Sequence, residues 1–188
     1  MDRKIKGYSA LEILMVLAII GIIGVIFVQE FRNYVANERL KEGLNQLLSE
    51  LERVKNRAVI SAVPWGIRGC IGTNKYKVFM DYDGDCRDSN STCDVTISRK
   101  YCANMFNKPC NSDSDCDNIP NTCFDSEVSR ELPEGVIFSH SLYVVFDRKG
   151  WPFNNYCGFG ATNATLQSSV TGKTYKIIID RLGRIRVE

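Results

Sequence analysis

An unbroken apolar run from Ile13 to Val28 limits this chain more than any other feature. Counted from Tyr8, the segment approaches the ~20 residues that a helix needs to cross a bilayer. Ahead of it stands a short basic leader, Met1-Asp2-Arg3-Lys4-Ile5-Lys6-Gly7. A leader of that charge stays in the cytoplasm and fixes the orientation of the span. No small-residue cleavage site follows the run, and Gln29-Glu30-Phe31-Arg32 continue the helical pattern, which argues against a secretory signal removed beyond it. An ordinary signal anchor leaves Glu12 unexplained, because a carboxylate within an apolar helix is costly and needs a partner or a task. Gly21 and Gly24 inside the run serve close helix approach or a flexible point, or reflect the general frequency of glycine in membrane helices.

From Phe31 the pattern becomes amphipathic. Leu40, Leu44, Leu47, Leu48, Leu51, Val54 and Ala58 recur at steps of three and four, and charges such as Arg39, Lys41, Glu42, Glu50, Glu52, Arg53, Lys55 and Arg57 fill the other positions. Pro64 predicts a helix end at Ala62 or Val63. One helix from Tyr8 to that point is roughly 80 Å long at ~1.5 Å per residue, so its second half must leave the membrane and lay its stripe on a globular head. The stripe is too broad and too short for a strict heptad seam.

Beyond Pro64 short strands are expected at Trp65–Ile71, Tyr76–Asp81, Asp94–Lys100, Val136–Ser139, Leu142–Asp147, Leu166–Val170, Thr174–Asp180 and Arg184–Val187. Turns at Arg148-Lys149-Gly150, Thr171-Gly172-Lys173 and Arg181-Leu182-Gly183 punctuate them. A helix followed by strands implies an antiparallel α+β domain with the helix on one sheet face. Eight cysteines, Cys70, Cys86, Cys93, Cys102, Cys110, Cys116, Cys123 and Cys157, all follow the apolar segment. Their even number and loop-rich setting favour disulfides in an oxidising compartment over a zinc site, and no Cys-x-x-Cys pair occurs. Their pairing is open among about 105 combinations, with Cys110–Cys116 or Cys116–Cys123 as candidate small loops.

With 24 basic and 22 acidic residues, bulk charge gives no reason to expect nucleic acid, so any such site must be local. The only histidine is His140, which argues against histidine-based metal catalysis or a Ser-His-Asp triad. No nucleophile–base pair or phosphate loop is present, and the chain is expected not to be an enzyme or to need a cofactor.

Lys6-Gly7-Tyr8-Ser9-Ala10-Leu11-Glu12 resembles the class III signal of type IV pilins and type II secretion pseudopilins. The resemblance implies a prepilin peptidase that cuts between Gly7 and Tyr8 and methylates the new N-terminus at Tyr8. It also implies that Glu12 acts in assembly, against the N-terminal ammonium of a neighbouring subunit in a low-dielectric filament core. Tyr8 stands where phenylalanine is commoner, and Ser9-Ala10-Leu11 replaces Thr-Leu-Ile. Loss of Asp2, Arg3, Lys4 and Lys6 would remove the net charge of +2 and leave a formally neutral chain. Arg53-Val54-Lys55-Asn56-Arg57-Ala58-Val59-Ile60, Phe146-Asp147-Arg148-Lys149-Gly150 and the segment from Ile177 to Val187 are similar to GspH/FimT-type minor pilins. That family implies a pilin fold: a long helix on a small antiparallel β domain of two sheets, in a subunit at or near a filament tip. The expected organisation is a leader at 1–7, a transmembrane and assembly segment at 8–28, an amphipathic helix at 29–63 and a head at 64–188. The partners implied are other pilins, the prepilin peptidase and the bacterial inner membrane, with the head in the periplasm before assembly into a pilus or pseudopilus.

A cysteine-rich insertion, about 83–129, departs from the family pattern. Asp81, Asp83 and Asp85 stand at alternate positions, as do Asp113, Asp115 and Asp117. Such loops supply several of the six to eight oxygens that calcium requires, but neither completes an EF-hand, and solvated acidic turns are the plainer reading. Gly183-Arg184-Ile185-Arg186 matches the Gly-Arg-x-Arg motif of DNA-binding FimT-type minor pilins. With Lys173, Lys176 and Arg181 it is a candidate contact for double-stranded DNA during uptake. A strand would put both arginines on one face, and ion pairs with Asp180 or Glu188 are the alternative use. Asn90-Ser91-Thr92 and Asn163-Ala164-Thr165 fit a glycosylation sequon and in a bacterial protein read as coincidence.

Overall fold

A computed structural model describes residues 10–88, 92–95, 99–102, 108–116 and 123–188. Helix α1 runs without a break over Ala10–Ser61. It ends one residue before the expected Ala62 or Val63: Ala62 turns to φ 53° and Pro64 follows. The first half is exposed, and α1 is long and apolar enough to cross a membrane. The second half buries Leu40, Leu47, Leu51, Val54 and Ala58 completely and Leu44 nearly so, while Leu48 lies at the edge of the core. Each fully buried leucine contributes about 1.5–3 kcal/mol relative to exposure, which is why this half needs the head and the first half does not.

The strands are β1 Trp65–Gly69, β2 Lys75–Met80, β3 Lys100–Cys102, β4 Cys123–Asp125, β5 Glu127–Glu131, β6 Val136–His140, β7 Leu142–Phe146, β8 Pro152–Phe153, β9 Thr162–Ser168, β10 Thr174–Ile179 and β11 Ile185–Val187. They form an antiparallel sheet in the order β5-β2-β1-β7-β8, a second in the order β11-β10-β9-β6, and a small β3-β4 ribbon. The protein is thus α+β, one long N-terminal helix on two antiparallel sheets. An isolated parallel bridge between Ile71 and Phe138 joins the sheets at one corner. There Phe138 lies so close to Gly69 that a Cβ would stand 2.5 Å from its ring.

Polar contacts fasten the helix along its second half. The Thr171 hydroxyl donates to Asn37 Oδ1 at 3.1 Å, and Gln46 Nε2 donates to the Glu131 carbonyl at 2.8 Å. Lys55 Nζ donates to the Gly183 carbonyl at 2.8 Å. Glu50, read in the sequence as one of the outward charges, is buried between Arg53 and Arg130. Gly183 holds φ 73°, and a Cβ there would sit 2.2 Å from the Gly150 carbonyl oxygen. Two of the expected turns therefore meet over Lys55, and the glycine of the Gly-Arg-x-Arg motif has a packing reason of its own.

Three corrections follow from the strands. β9 begins four residues before the predicted Leu166, and β3 overlaps the predicted Asp94–Lys100 strand only at its end; residues 96–98 lie outside the described residues. The insertion stops short of 129, because β5 starts at Glu127 and pairs with β2. The eight cysteines form Cys70–Cys93, Cys86–Cys157, Cys102–Cys116 and Cys110–Cys123, so both candidate small loops are wrong. The two short bridges interlock because β3 and β4 pair Cys102 opposite Cys123, and each cysteine reaches to the loop instead.

Candidate functional site

The first half of α1 leaves most of its described large apolar side chains exposed. Gly7 and Tyr8, where cleavage and methylation are expected, lie outside the described residues. Glu12 stands in the first turn of α1 and is exposed. No charged residue follows it until Glu30, and the next cation, Arg32, is ~30 Å further along the helix. The body of α1 therefore offers Glu12 no counter-charge. Around Gly21 and Gly24 an added Cβ would meet nothing within 4 Å, which leaves both open to a second helix. Phe27 and Phe31 stack at 6.2 Å between ring centroids where the apolar run gives way to charge.

The five candidate DNA-contacting cations do not form one patch. Lys173 precedes β10 and Arg181 and Arg184 follow it, so the strand, ~20 Å long, separates them. Lys173 Nζ instead lies 5.4 Å from the centre of the Tyr175 ring. Arg184 Nε donates to Asp180 Oδ2 at 2.7 Å, and Asp180 Oδ1 accepts from the backbone N–H groups of Leu182 and Arg184. These contacts, the backbone one first, hold the Asp180 carboxyl below the ordinary range. The β10–β11 register puts Arg186 opposite Ile178, and the Lys176 and Glu188 backbones pair next to it, so Lys176 and Arg186 share the outer face. Both are exposed.

Asp81, Asp83 and Asp85 do converge: one oxygen from each lies within 4.8 Å of the others. Asp81 is buried at 2% exposure and accepts from the N–H groups of Gly84 and Cys86, so the loop closes on it. Three carboxylates in that space suit a hard cation such as calcium and supply only part of its shell. The second acidic run behaves differently. Asp115 Oδ2 accepts from Asn111 and Ser112 N–H groups, which hold its carboxyl below the ordinary range, and Asp113 Oδ1 accepts from Cys123 N–H. These carboxylates cap the loop of the disulfide pair; Asp117 lies outside the described residues. Asn163 is exposed on β9, and Asn90 lies outside the described residues.

No family model, curated protein or solved structure matches this chain.

Sequence reasoning missed one constellation. Arg68 on β1 and Lys77 on β2 point away from the helix, where alternation predicts solvent. The first part of the insertion covers them instead. Asp88 accepts both Arg68 Nε and Nη2 at 2.7 Å and Lys77 Nζ at 2.7 Å, with Glu127 3.6 Å from the same ammonium. Lys77 is completely buried. Arg68 also lies 4.6 Å from the centre of the Tyr143 ring, whose hydroxyl donates to the Cys86 carbonyl. Burial first, then the Asp88 charge, raises the Tyr143 pKa. The only sequence signal was a set of opposite charges on two strands and a loop.

Proposed function

We propose that the chain is a minor pilin or pseudopilin. On this reading it is a structural subunit, inserted in the bacterial inner membrane with its head in the periplasm and then built into a type IV pilus or a type II secretion pseudopilus at or near the tip. The observation that carries this reading is Glu12. It stands exposed at the start of α1, in a half that carries no other charge before Glu30 and whose nearest cation along the helix is ~30 Å away. A carboxylate so placed in an apolar medium requires a positive charge from outside the helix body. The amine created by cutting between Gly7 and Tyr8, carried by a neighbouring subunit, supplies one at a single axial register. A 52-residue helix with one half bare and the other half buried in a head supports the same reading. The decisive experiment compares Glu12→Ala and Glu12→Leu with the native chain. Both variants fractionate with the membrane and fail to enter sheared filaments; normal incorporation of both refutes the role.

A second reading is favoured by one observation, the paired exposure of Lys176 and Arg186 on the outer face of β10 and β11. There the chain is a DNA receptor in uptake. Because Arg184 is held by Asp180, Lys176 and Arg186 carry the contact. Gel shifts with duplex DNA then weaken on Lys176→Gln/Arg186→Gln and with rising salt. Equal shifts for both proteins exclude that surface.

A further inference from the structure

Where α1 leaves the head there is a cleft of about 270 Å³ lined by Phe31, Arg32, Val35, Arg39, Glu134 and Val170, among others. One wall is the helix. The other is a pair of head loops, drawn against the helix by the Thr171–Asn37 hydrogen bond and by Arg39 Nη1 at 3.6 Å from Glu134 Oε2.

Its height along the helix is fixed by arithmetic. The apolar run ends at Val28. At ~1.5 Å per residue, Arg32 lies ~6 Å and Val35 ~10 Å beyond the hydrocarbon edge. The headgroup layer is about 5–7 Å thick on each side of a bilayer. Arg32, in the cleft wall, is thus level with the lipid phosphates, while Arg39 stands ~16 Å beyond the edge, from where a helical side chain leans back toward the N-terminus and the membrane.

Its chemistry suits the same occupant. Arg32 and Arg39 are both exposed, and guanidinium binds phosphate through two parallel hydrogen bonds. The pair between Arg39 and Glu134 is long, and the Glu134 side chain is 92% exposed, so a phosphate displaces it at little cost. Phe31 and Val170 leave an apolar rim, and Ala36 is buried in the floor. That rim continues the membrane-facing surface of the helix and takes the glycerol end of a lipid.

We propose that this cleft binds the headgroup of an anionic phospholipid from the leaflet on the side of the head. The inference rests on the reading that α1 spans a bilayer. The site holds the head close to the membrane surface until the subunit is extracted for assembly.

The test uses the full chain in nanodiscs of equal phosphatidylglycerol and phosphatidylcholine, with retained lipids counted by native mass spectrometry. The native chain keeps phosphatidylglycerol in preference. Arg32→Gln and Arg39→Gln each reduce the preference about fivefold, and the double variant abolishes it. Arg181→Gln, a cation at the far turn, leaves it unchanged, and equal melting temperatures show that the heads remain folded. Inserted chain without lipid preference, a preference that survives the double variant, or a lipid-free dimer each overturns the proposal while the spanning helix stands. Chain released by alkaline carbonate overturns the span and the lipid site together.

Discussion

Asp81 is held by two backbone donors inside a loop that leaves it almost no solvent. Burial above all, then the neighbouring Asp83 carboxyl, raises its pKa to about 6. An unfolded aspartate titrates near ~3.9, so between about pH 4 and pH 6 the folded chain holds a proton that the unfolded chain has lost. The stability tied to that proton is complete below about pH 4 and is lost as the pH rises through about 6. Asp83→Asn removes a hydrogen bond and a charge that both favour the protonated form. The variant therefore loses less melting temperature than the native protein between about pH 4 and pH 7. Equal losses would show that Asp83 does not act on Asp81. Alternation of carboxylates in the sequence located this loop. It did not show that one of them is buried, because burial comes from the Cys86–Cys157 bridge and from Pro64 and Phe153 across the same small cleft.

Among the elements, the first part of the insertion differs most from its expected behaviour. It is fastened over the outer face of the five-stranded sheet by Asp88, by the Cys70–Cys93 bridge and by a hydrogen bond from Ser129 Oγ to the Cys93 carbonyl at 2.7 Å. Asp88→Ala takes from the fully buried Lys77 its 2.7 Å counter-charge. Removing one partner of a buried pair costs about 3–5 kcal/mol, and the urea midpoint falls accordingly. A shift below ~1 kcal/mol would mean that the cover is loose in solution. The helix was the most legible element, since its apolar stripe, its proline stop and its two halves all follow from residue order. β6, β7 and β10 were legible as apolar alternation. β5 was not: Glu127-Val128-Ser129-Arg130-Glu131 carries one apolar side chain, and only pairing with β2 makes it a strand. The cysteine pairing was illegible because it depends on how loops return in space.

At the scale of the whole molecule, the buried hydrophobic residues that α1 gives to the core begin at Ala36 among those described. A chain beginning at residue 29 keeps every buried contact of the core. It is expected to be soluble, and to melt within about 2–4 °C of the full chain in detergent, a change worth ~1 kcal/mol or less. A larger loss, measured by calorimetry, would mean that the apolar half supports the head. Of the candidate surfaces, the one proposed for processing and assembly is a linear motif around Gly7, Tyr8 and Glu12, open to reading from residue order alone. The cation set was not, since distance along β10 and the Asp180 side chain decide which cations remain open.

The bridge between Cys86 and Cys157 spans 71 positions and encloses every strand from β3 to β8. On the proposed export of the head, N-terminal side first, Cys70, Cys86 and Cys93 would all reach the oxidant well before Cys157 does. For that interval Cys86 has wrong suitors and no right one, and its capture by Cys93 would also strip Cys70 of its mate. Yield of correctly matured protein should therefore track thiol-shuffling capacity in the receiving compartment more closely than oxidising power.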